Sequence, residues 1–229
     1  MGSWAHGLIG SQLLCVCEPM SLWAFRELLH AARYPLPAPC YPHFPSAMKL
    51  YLVGFMGSGK TTIGRELAMR IDAPFFDLDD LIESSEKMSI RELFAQHGEP
   101  YFRKRERELL RSTKHLDSAV VATGGGTFTF EDNIQFIQSV GMSIFLSAPY
   151  SLLRTRIDTK GDRPLFRDDL ETHELYANRI RYYRMSDLTL EIREAETPAE
   201  IVERLLLELP KSVLDAARQS AWRASGRRA

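Results

Sequence analysis

The chain has 229 residues, of which 45% are hydrophobic, and its 29 lysines and arginines nearly balance its 30 aspartates and glutamates. This length suits one α/β domain with tails better than two full domains. The near-zero net charge gives no indication of a nucleic-acid partner, and no apolar run reaches the length needed to cross a bilayer. We therefore expect neither a nucleic-acid nor a membrane partner.

Residues 1–47 differ in character from the rest of the chain. They contain a proline-rich segment, no complete βα unit, and all three cysteines, Cys15, Cys17 and Cys40. We interpret them as a disordered extension or the product of an upstream start codon, because Met48 directly precedes the first strand. The pair Cys15 and Cys17 could bind a metal or sense redox state, but a pair without a second ligand cluster is more often incidental. The absence of later cysteines fits a cytoplasmic protein.

After Met48, short apolar runs alternate with helical patterns. The predicted strands are Leu50–Val53, Phe75–Phe76, Ala119–Ala122, Ser143–Leu146 and Leu188–Ile192. The predicted helices are Thr61–Ile71, Ile90–Ala95, Pro100–Arg111, Phe130–Ser139, Tyr150–Ile157, Glu171–Met185 and Thr197–Leu207. This alternation predicts an α/β fold, a three-layer α/β/α arrangement around a five-stranded parallel sheet. Ligands of such sheets bind beyond the carboxyl ends of the strands.

The first strand leads into the stretch Gly54–Thr61, which fits the phosphate-binding pattern G-x-x-x-x-G-K-[ST]. The loop's backbone N–H groups would face nucleotide phosphates, and the positive end of the next helix would point at them. Lys60 would reach the β- and γ-phosphates, and Thr61 would offer its hydroxyl to Mg²⁺. An ordinary glycine turn is the alternative. The predicted nucleotide-binding residues of this loop are Gly57, Ser58, Gly59, Lys60, Thr61 and Thr62.

Two further groups of residues follow later strands. Asp77 and Asp79 alternate after the second strand, which would place two carboxylates near the phosphate loop; one could support Mg²⁺ and the other orient an acceptor hydroxyl. The alternative is a helix N-terminus that carries acids for stability. After the third strand, Gly124, Gly125 and Gly126 would let the backbone approach a ligand closely.

These motifs, with the pattern Gly-Glu-x-x-Phe-Arg-x-x-Glu at Gly98–Glu106 and Arg163-Pro164-Leu165, occur in the order and spacing of shikimate kinases. From about Met48 to Pro210 the chain resembles that family. The resemblance implies ATP-dependent phosphorylation of the 3-hydroxyl of shikimate, on the route to chorismate and the aromatic amino acids, with Mg²⁺ as cofactor. It also implies a monomer.

The resemblance also implies roles for individual residues. Asp79 would bind the ring hydroxyls and act as the base or orienter for the attacking oxygen, and Asp77 would support Mg²⁺ through water. Arg103 and Arg179 would hold the substrate carboxylate, for which a planar guanidinium is well suited. Glu106 would support that arrangement, and the glycine run, Gly125 above all, would contact the substrate ring through its backbone. The spacing of Arg179, four residues before Tyr183, is part of the combination that separates this family from other small-molecule kinases.

The region 157–169 resembles the family's mobile lid, from which Arg163 would enter the site as a third catalytic residue beside Asp79 and Lys60. Arg156, at the base of the lid, would lie over the adenine, although Arg154 is an alternative. The domain division is thus an extension at 1–47, a kinase domain at 48–210 and a basic tail at 211–229. The tail is predicted to be solvated, with a nucleic-acid arm as the minority interpretation.

Two other functions deserve comparison. The segment Thr159–Asp162 matches the guanine-specifying [NT]-K-x-D pattern of P-loop GTPases, but Leu152–Ile157 before it has helical spacing rather than the required strand. A gluconate kinase or a nucleoside-monophosphate kinase is the closer alternative. Gluconate would also use paired arginines, whereas a nucleotide acceptor would need an aromatic base pocket that the sequence does not indicate.

Overall fold

The computed structural model describes residues 49–158, 169–211 and 213–215. Five strands form one sheet in the order β2-β3-β1-β4-β5, and every neighbouring pair is parallel. The strands are β1 (Lys49–Val53), β2 (Phe75–Asp77), β3 (Ala119–Ala122), β4 (Met142–Ser147) and β5 (Leu188–Glu191). The predicted five-stranded parallel sheet is therefore confirmed, and each predicted strand end lies within one residue of the observed end.

Seven α-helices of the described residues flank this sheet. They are α1 (Lys60–Arg70), α2 (Leu78–Glu86), α3 (Ile90–Ser112), α4 (Glu131–Val140), α5 (Tyr150–Asp158), α6 (Asp169–Tyr183) and α7 (Pro198–Glu208), with short 3₁₀ helices at Thr113–His115 and Thr127–Thr129. None of these helices combines the length and the hydrophobicity that a membrane crossing requires. Helices on both faces of a parallel sheet give the predicted three-layer α/β/α architecture.

Local sequence signals explain several helix boundaries. The side chain of Thr197 accepts a hydrogen bond from the backbone N–H of Glu200, and the side chain of Glu200 accepts one from the backbone N–H of Thr197. Pro198 occupies the first turn of α7. Such a capping box supplies partners to N–H groups that the helix itself cannot satisfy. Within α3, Gly98 has φ 76° and ψ 172°, so the two predicted helices of this region form one element with a kink.

The strand-end placement of the acidic pair is wrong, and the alternative of a helix N-terminus that carries acids is what the structure shows, at helix α2. Asp77 is the last residue of β2 and also the N-cap of α2, and its side chain accepts a hydrogen bond from the backbone N–H of Asp79. Asp79 therefore lies in the first turn of a helix and is not a strand-end neighbour of Asp77. The turn forms because an N-cap carboxylate stabilises exposed N–H groups and the positive end of the helix.

The hydrophobic core lies on both faces of the sheet. All five residues of β1 are buried, as expected for a central strand of a parallel sheet with both faces covered. The largest fully buried side chains include Tyr51 of β1 and Tyr183 of α6. Val213 is also buried and packs against the core, so the packed chain continues beyond residue 210.

Candidate active site

The glycine-rich loop connects β1 to α1 at the carboxyl edge of the sheet. Gly59 is the N-cap of α1 and provides no side-chain cap. The first N–H groups of a helix have no partner within the helix, and the helix dipole favours an anion beside them. This local geometry therefore suits the phosphate groups of a nucleotide.

The side chains of the loop take different positions. The Lys60 ammonium donates hydrogen bonds to the backbone oxygens of Gly54 and Phe55, both at 2.9 Å. Ser58 is fully buried, and its hydroxyl has no hydrogen-bond partner among the described residues. Thr62 is exposed on the first turn of α1. Any contact of Ser58 with a nucleotide would thus use its backbone.

Thr61 and Asp77 lie together, as the predicted metal site requires. The Thr61 hydroxyl donates to Oδ2 of Asp77 at 2.7 Å, and Oδ1 of Asp77 accepts from the backbone N–H of Asp79 at 3.0 Å. Asp80 is more exposed than Asp77, and partial desolvation together with the negative charge of Asp77 raises the pKa of its carboxyl group. Hydroxyl and carboxylate oxygens are the ligands that Mg²⁺ prefers, with the remaining positions usually taken by phosphates and water.

Each glycine of the run after β3 faces a different charged group. A Cβ atom on Gly124 would lie 2.6 Å from Oε1 of Glu106 and 3.0 Å from Oδ1 of Asp79. A Cβ atom on Gly126 would lie 2.6–2.8 Å from the guanidinium of Arg103, and one on Gly125 would lie 3.6 Å from Arg179. Real Cβ atoms do not tolerate the closest of these distances, so the absence of side chains lets the charged groups converge on the turn.

Arg103 and Glu106 form a largely buried ion pair on α3. Nη1 of Arg103 donates to Oε2 of Glu106 at 2.9 Å, and the Arg103 and Glu106 side chains are 17% and 1% exposed. The other oxygen of Glu106 accepts from the hydroxyl of Thr127 at 2.6 Å. Burial disfavours the charge of Arg103, but Glu106 and Glu99 outweigh it and raise the pKa of the guanidinium. Glu106 thus holds the arginine beside the glycine turn.

Arg179, on α6, also contacts the glycine turn. Its Nη1 donates to the backbone oxygen of Gly125 at 3.2 Å, and the Tyr183 hydroxyl donates to the same oxygen. Tyr183 is fully buried, its ring packs 5.3 Å from that of Phe145, and burial raises its pKa to about 12. The phenol therefore stays protonated at neutral pH and remains a donor.

Most of the predicted lid, 157–169, lies outside the residues that the structure describes. Residues 159–168, which include Arg163 and the Thr159–Asp162 segment, lie outside the described residues. At the end of α5, Nη1 of Arg156 donates to the backbone oxygen of Gly57 at 3.3 Å, and Arg154 is exposed. Arg156 therefore contacts the phosphate loop through the backbone of Gly57.

Two contributors to the site had no predicted role, Thr127 and Tyr183. Both were close in sequence to predicted residues, since Thr127 follows the glycine run and Tyr183 lies four residues after Arg179. Residues four apart share one helix face, so the spacing of Arg179 and Tyr183 was an available signal for a common partner. The partner itself, a backbone oxygen of another loop, has no signature in sequence.

The fold and the site together define the class of protein. A parallel sheet in this strand order, a phosphate loop between β1 and α1, and an acid pair after β2 are the features of a P-loop kinase of small molecules. The model of the family described as shikimate kinase matches residues 56–210.

Individual relatives agree with that match. The chain is 34% identical to the shikimate kinase of Aquifex aeolicus over 168 residues, which are 73% of this chain and 99% of the relative. It is 44% identical to the shikimate kinase of Salinibacter ruber over 153 residues, 66% of this chain and 73% of that one. The solved structure of the Acinetobacter baumannii shikimate kinase in complex with shikimate has a TM-score of 0.65 at 32% identity, covering 71% of this chain and 93% of the other. The chain belongs to the shikimate kinase family.

Proposed function

We propose that this protein catalyses ATP-dependent phosphorylation of the 3-hydroxyl of shikimate, giving shikimate 3-phosphate for the synthesis of chorismate and the aromatic amino acids. Family membership supports this function and decides against the gluconate kinase alternative. The observation that carries the proposal is the glycine turn, which faces Asp79, Arg103 and Arg179 together. A carboxylate-bearing polyol needs this combination of two guanidinium groups and one carboxylate.

On the acceptor side, Arg103 and Arg179 bind the substrate carboxylate. Each is already oriented, Arg103 by Glu106 and Arg179 by the backbone oxygen of Gly125. Orientation before binding reduces the conformational entropy that the side chains lose when the ligand arrives. With the carboxylate held at this end, the hydroxyls of the ring extend toward Asp79 and the phosphate loop.

On the nucleotide side, the loop residues 57–62 and the N-terminus of α1 bind the phosphates of ATP. Lys60 shifts from the carbonyl oxygens of Gly54 and Phe55 to the β- and γ-phosphates, whose negative charge is a stronger acceptor. Arg156 borders the loop at Gly57, consistent with its proposed place over the adenine. Arg163 is proposed as a catalytic residue from the sequence pattern alone.

Thr61 and Asp77 fit a magnesium ion. Their side-chain oxygens lie 2.7 Å apart beside the phosphate loop, and both are hard oxygen donors. Thr61 would bind the ion directly and Asp77 through water. When bound, Mg²⁺ neutralises charge on the β- and γ-phosphates.

The chemical step is an in-line transfer. The 3-hydroxyl oxygen attacks the γ-phosphorus, the bond from that phosphorus to the β-phosphate oxygen breaks, and ADP leaves. Asp79 accepts the proton of the attacking hydroxyl, and Lys60 donates hydrogen bonds to the charge that develops on the transferred group. Positioning and electrostatics supply most of the catalysis in such transfers.

The wider organisation is also proposed from the sequence. Residues 48–210 would be the kinase domain, which the family match to 56–210 supports. The segment 157–169 would be the lid, and 1–47 and 211–229 would be an extension and a basic tail. We further propose a cytoplasmic monomer.

A coupled ADP-release assay with MgATP tests the function. Shikimate, quinate, gluconate and nucleoside monophosphates serve as candidate acceptors for the full chain. We expect turnover with shikimate at a kcat/KM well above that of the other acceptors. Turnover only with gluconate or a nucleotide would keep the phosphate-loop chemistry and overturn the acceptor site, and no acceptor-dependent turnover would overturn the kinase assignment.

A further inference from the structure

The residue before helix α4, Phe130, has a side chain that cannot cap the helix. Phe130 is the N-cap of this helix and makes no side-chain capping hydrogen bond. Serine, threonine, aspartate and asparagine are preferred at this position because their side chains accept from free N–H groups of the first turn. A phenylalanine here forgoes that stabilisation. The residue is also 37% exposed, so burial in the core does not compensate fully.

The ring of Phe130 lies beside the proposed acceptor site. The guanidinium carbon of Arg103 is 5.6 Å from the centroid of the Phe130 ring and 5.1 Å from that of Phe102. Arg103 therefore contacts aromatic rings from two elements, α3 and the start of α4, while Glu106 and Glu99 hold its nitrogens. An aromatic face within about 6 Å attracts a guanidinium and limits its orientation.

We propose that Phe130 is a positioning residue for the acceptor, which keeps the guanidinium of Arg103 in the orientation that binds the substrate carboxylate. This inference rests on the proposed function, because it requires Arg103 to bind the acceptor. The position follows from the chain path, because Phe130 lies four positions after Gly126, the glycine against which Arg103 packs. The helix cap is thus occupied by a residue that serves the site.

Three variants separate the ring from the cap. Phe130→Ser removes the ring and introduces a capping side chain, Phe130→Leu removes the ring without a cap, and Phe130→Tyr keeps the ring. Phe136→Leu is the matched control, since Phe136 of α4 carries a second arginine contact, with the Arg111 guanidinium carbon 4.4 Å from its ring centroid, outside the site. Steady-state kinetics for both substrates and thermal unfolding are measured for each.

We expect the KM for shikimate to rise roughly three- to fivefold in Phe130→Ser and Phe130→Leu. The KM for ATP should stay unchanged, as should the shikimate KM of Phe130→Tyr and Phe136→Leu. The serine variant should unfold at a higher temperature than the leucine variant, because the serine side chain can cap the helix and leucine cannot.

A shikimate KM that is unaffected in both ring-deleted variants would overturn the inference. So would a shikimate KM that rises in Phe130→Leu but stays at the wild-type value in Phe130→Ser, since the loss would then follow the order of the helix start and not the contact of the ring with Arg103. The wild-type protein is assayed alongside. Failure of the wild type to turn over shikimate would overturn the proposed function and this inference together, whereas normal wild-type turnover with unmoved variants would overturn the inference alone.

Discussion

The hydroxyl of Thr61 donates a 2.7 Å hydrogen bond to Oδ2 of Asp77, joining two segments that are 16 residues apart in sequence. Thr61 lies in the first turn of α1 after β1, and Asp77 ends β2. Because β3 lies between β1 and β2 in the sheet, the two side chains meet beyond the carboxyl end of β3. The contact places the proposed magnesium ligands next to the proposed base, Asp79.

Thr61→Val should raise the Mg²⁺ concentration needed for half-maximal activity by roughly 10- to 100-fold. Valine keeps the shape of threonine but cannot offer an oxygen to the ion or a donor to Asp77. The measurement is an Mg²⁺ titration at fixed ATP, with Thr189→Val, on the exposed part of β5, as the matched control. An unchanged titration in Thr61→Val would exclude Thr61 as a ligand.

Asp79→Ala should lower kcat by roughly 100- to 10,000-fold, the range that a general base contributes, while ATP binding stays close to the wild-type value. Asp80→Ala is the control, because Asp80 is 62% exposed and pairs with Arg65 on the surface at 3.4 Å. Turnover and nucleotide binding by calorimetry separate the two effects. If Asp79→Ala also loses ATP affinity, its main role is structural.

Arg103→Ala should weaken acceptor binding by roughly 2–5 kcal/mol, because it removes the guanidinium proposed to pair with the substrate carboxylate at a largely buried position. The KM for shikimate reports this loss, and the KM for ATP should not change. Arg91→Ala removes an exposed arginine from the first turn of the same helix and should leave both values unchanged. A near-normal shikimate KM in Arg103→Ala would remove Arg103 from the acceptor site.

Gly126→Ala should preserve the fold and raise the shikimate KM by roughly tenfold. The backbone of Gly126, with φ −103° and ψ −12°, is accessible to alanine, but the new Cβ would lie 2.6 Å from the Arg103 guanidinium and displace it. Misplacement of a binding group by an ångström is enough for such losses. Gly125→Ala should have a smaller effect, since its Cβ would lie 3.6 Å from Arg179. Equal effects of the two substitutions would contradict this account.

Alkaline pH should destabilise the protein through its buried tyrosines. Burial raises the pKa of Tyr51 and of Tyr183 to about 12. Below pH 10 both phenols are protonated in the folded and unfolded chain. Between about pH 10 and 12 only the unfolded chain loses these protons, so the free energy of unfolding falls by about 2–3 kcal/mol for each tyrosine.

Tyr51→Phe tests this loss with little structural change. The partner of the Tyr51 hydroxyl, Thr113, also donates to the backbone oxygen of Leu110 at 2.7 Å and so keeps a partner. Urea unfolding of both proteins between pH 8 and 12 should show a smaller loss of stability in the variant, by about 2–3 kcal/mol. If both proteins lost the same stability over this pH range, the pKa of Tyr51 would not differ between the folded and the unfolded chain.

Most of the sheet could be predicted because its strands are short apolar runs with clear ends, as at Ala119–Ala122. The glycine-lysine-threonine loop was likewise predictable, since its function depends on a contiguous backbone segment. Helix α2 was missed because its N-cap, Asp77, is also the end of a three-residue strand, so no turn signal separates the two elements. The acidic residues there were correctly grouped but assigned to the wrong local structure.

By itself, the sequence determined the class of fold, the phosphate loop and which charged residues match those of the family's acceptor site. These features depend on residue types and spacings within single segments, which local propensity and hydrophobic periodicity encode. Only the tertiary structure decided that Asp79, Arg103 and Arg179 face three successive glycines, that Tyr183 donates to the same backbone oxygen as Arg179, and that the ring of Phe130 lies beside Arg103. Such contacts join α2, α3, α4 and α6, and they arise from the packing of helices around one sheet edge, which no local pattern specifies.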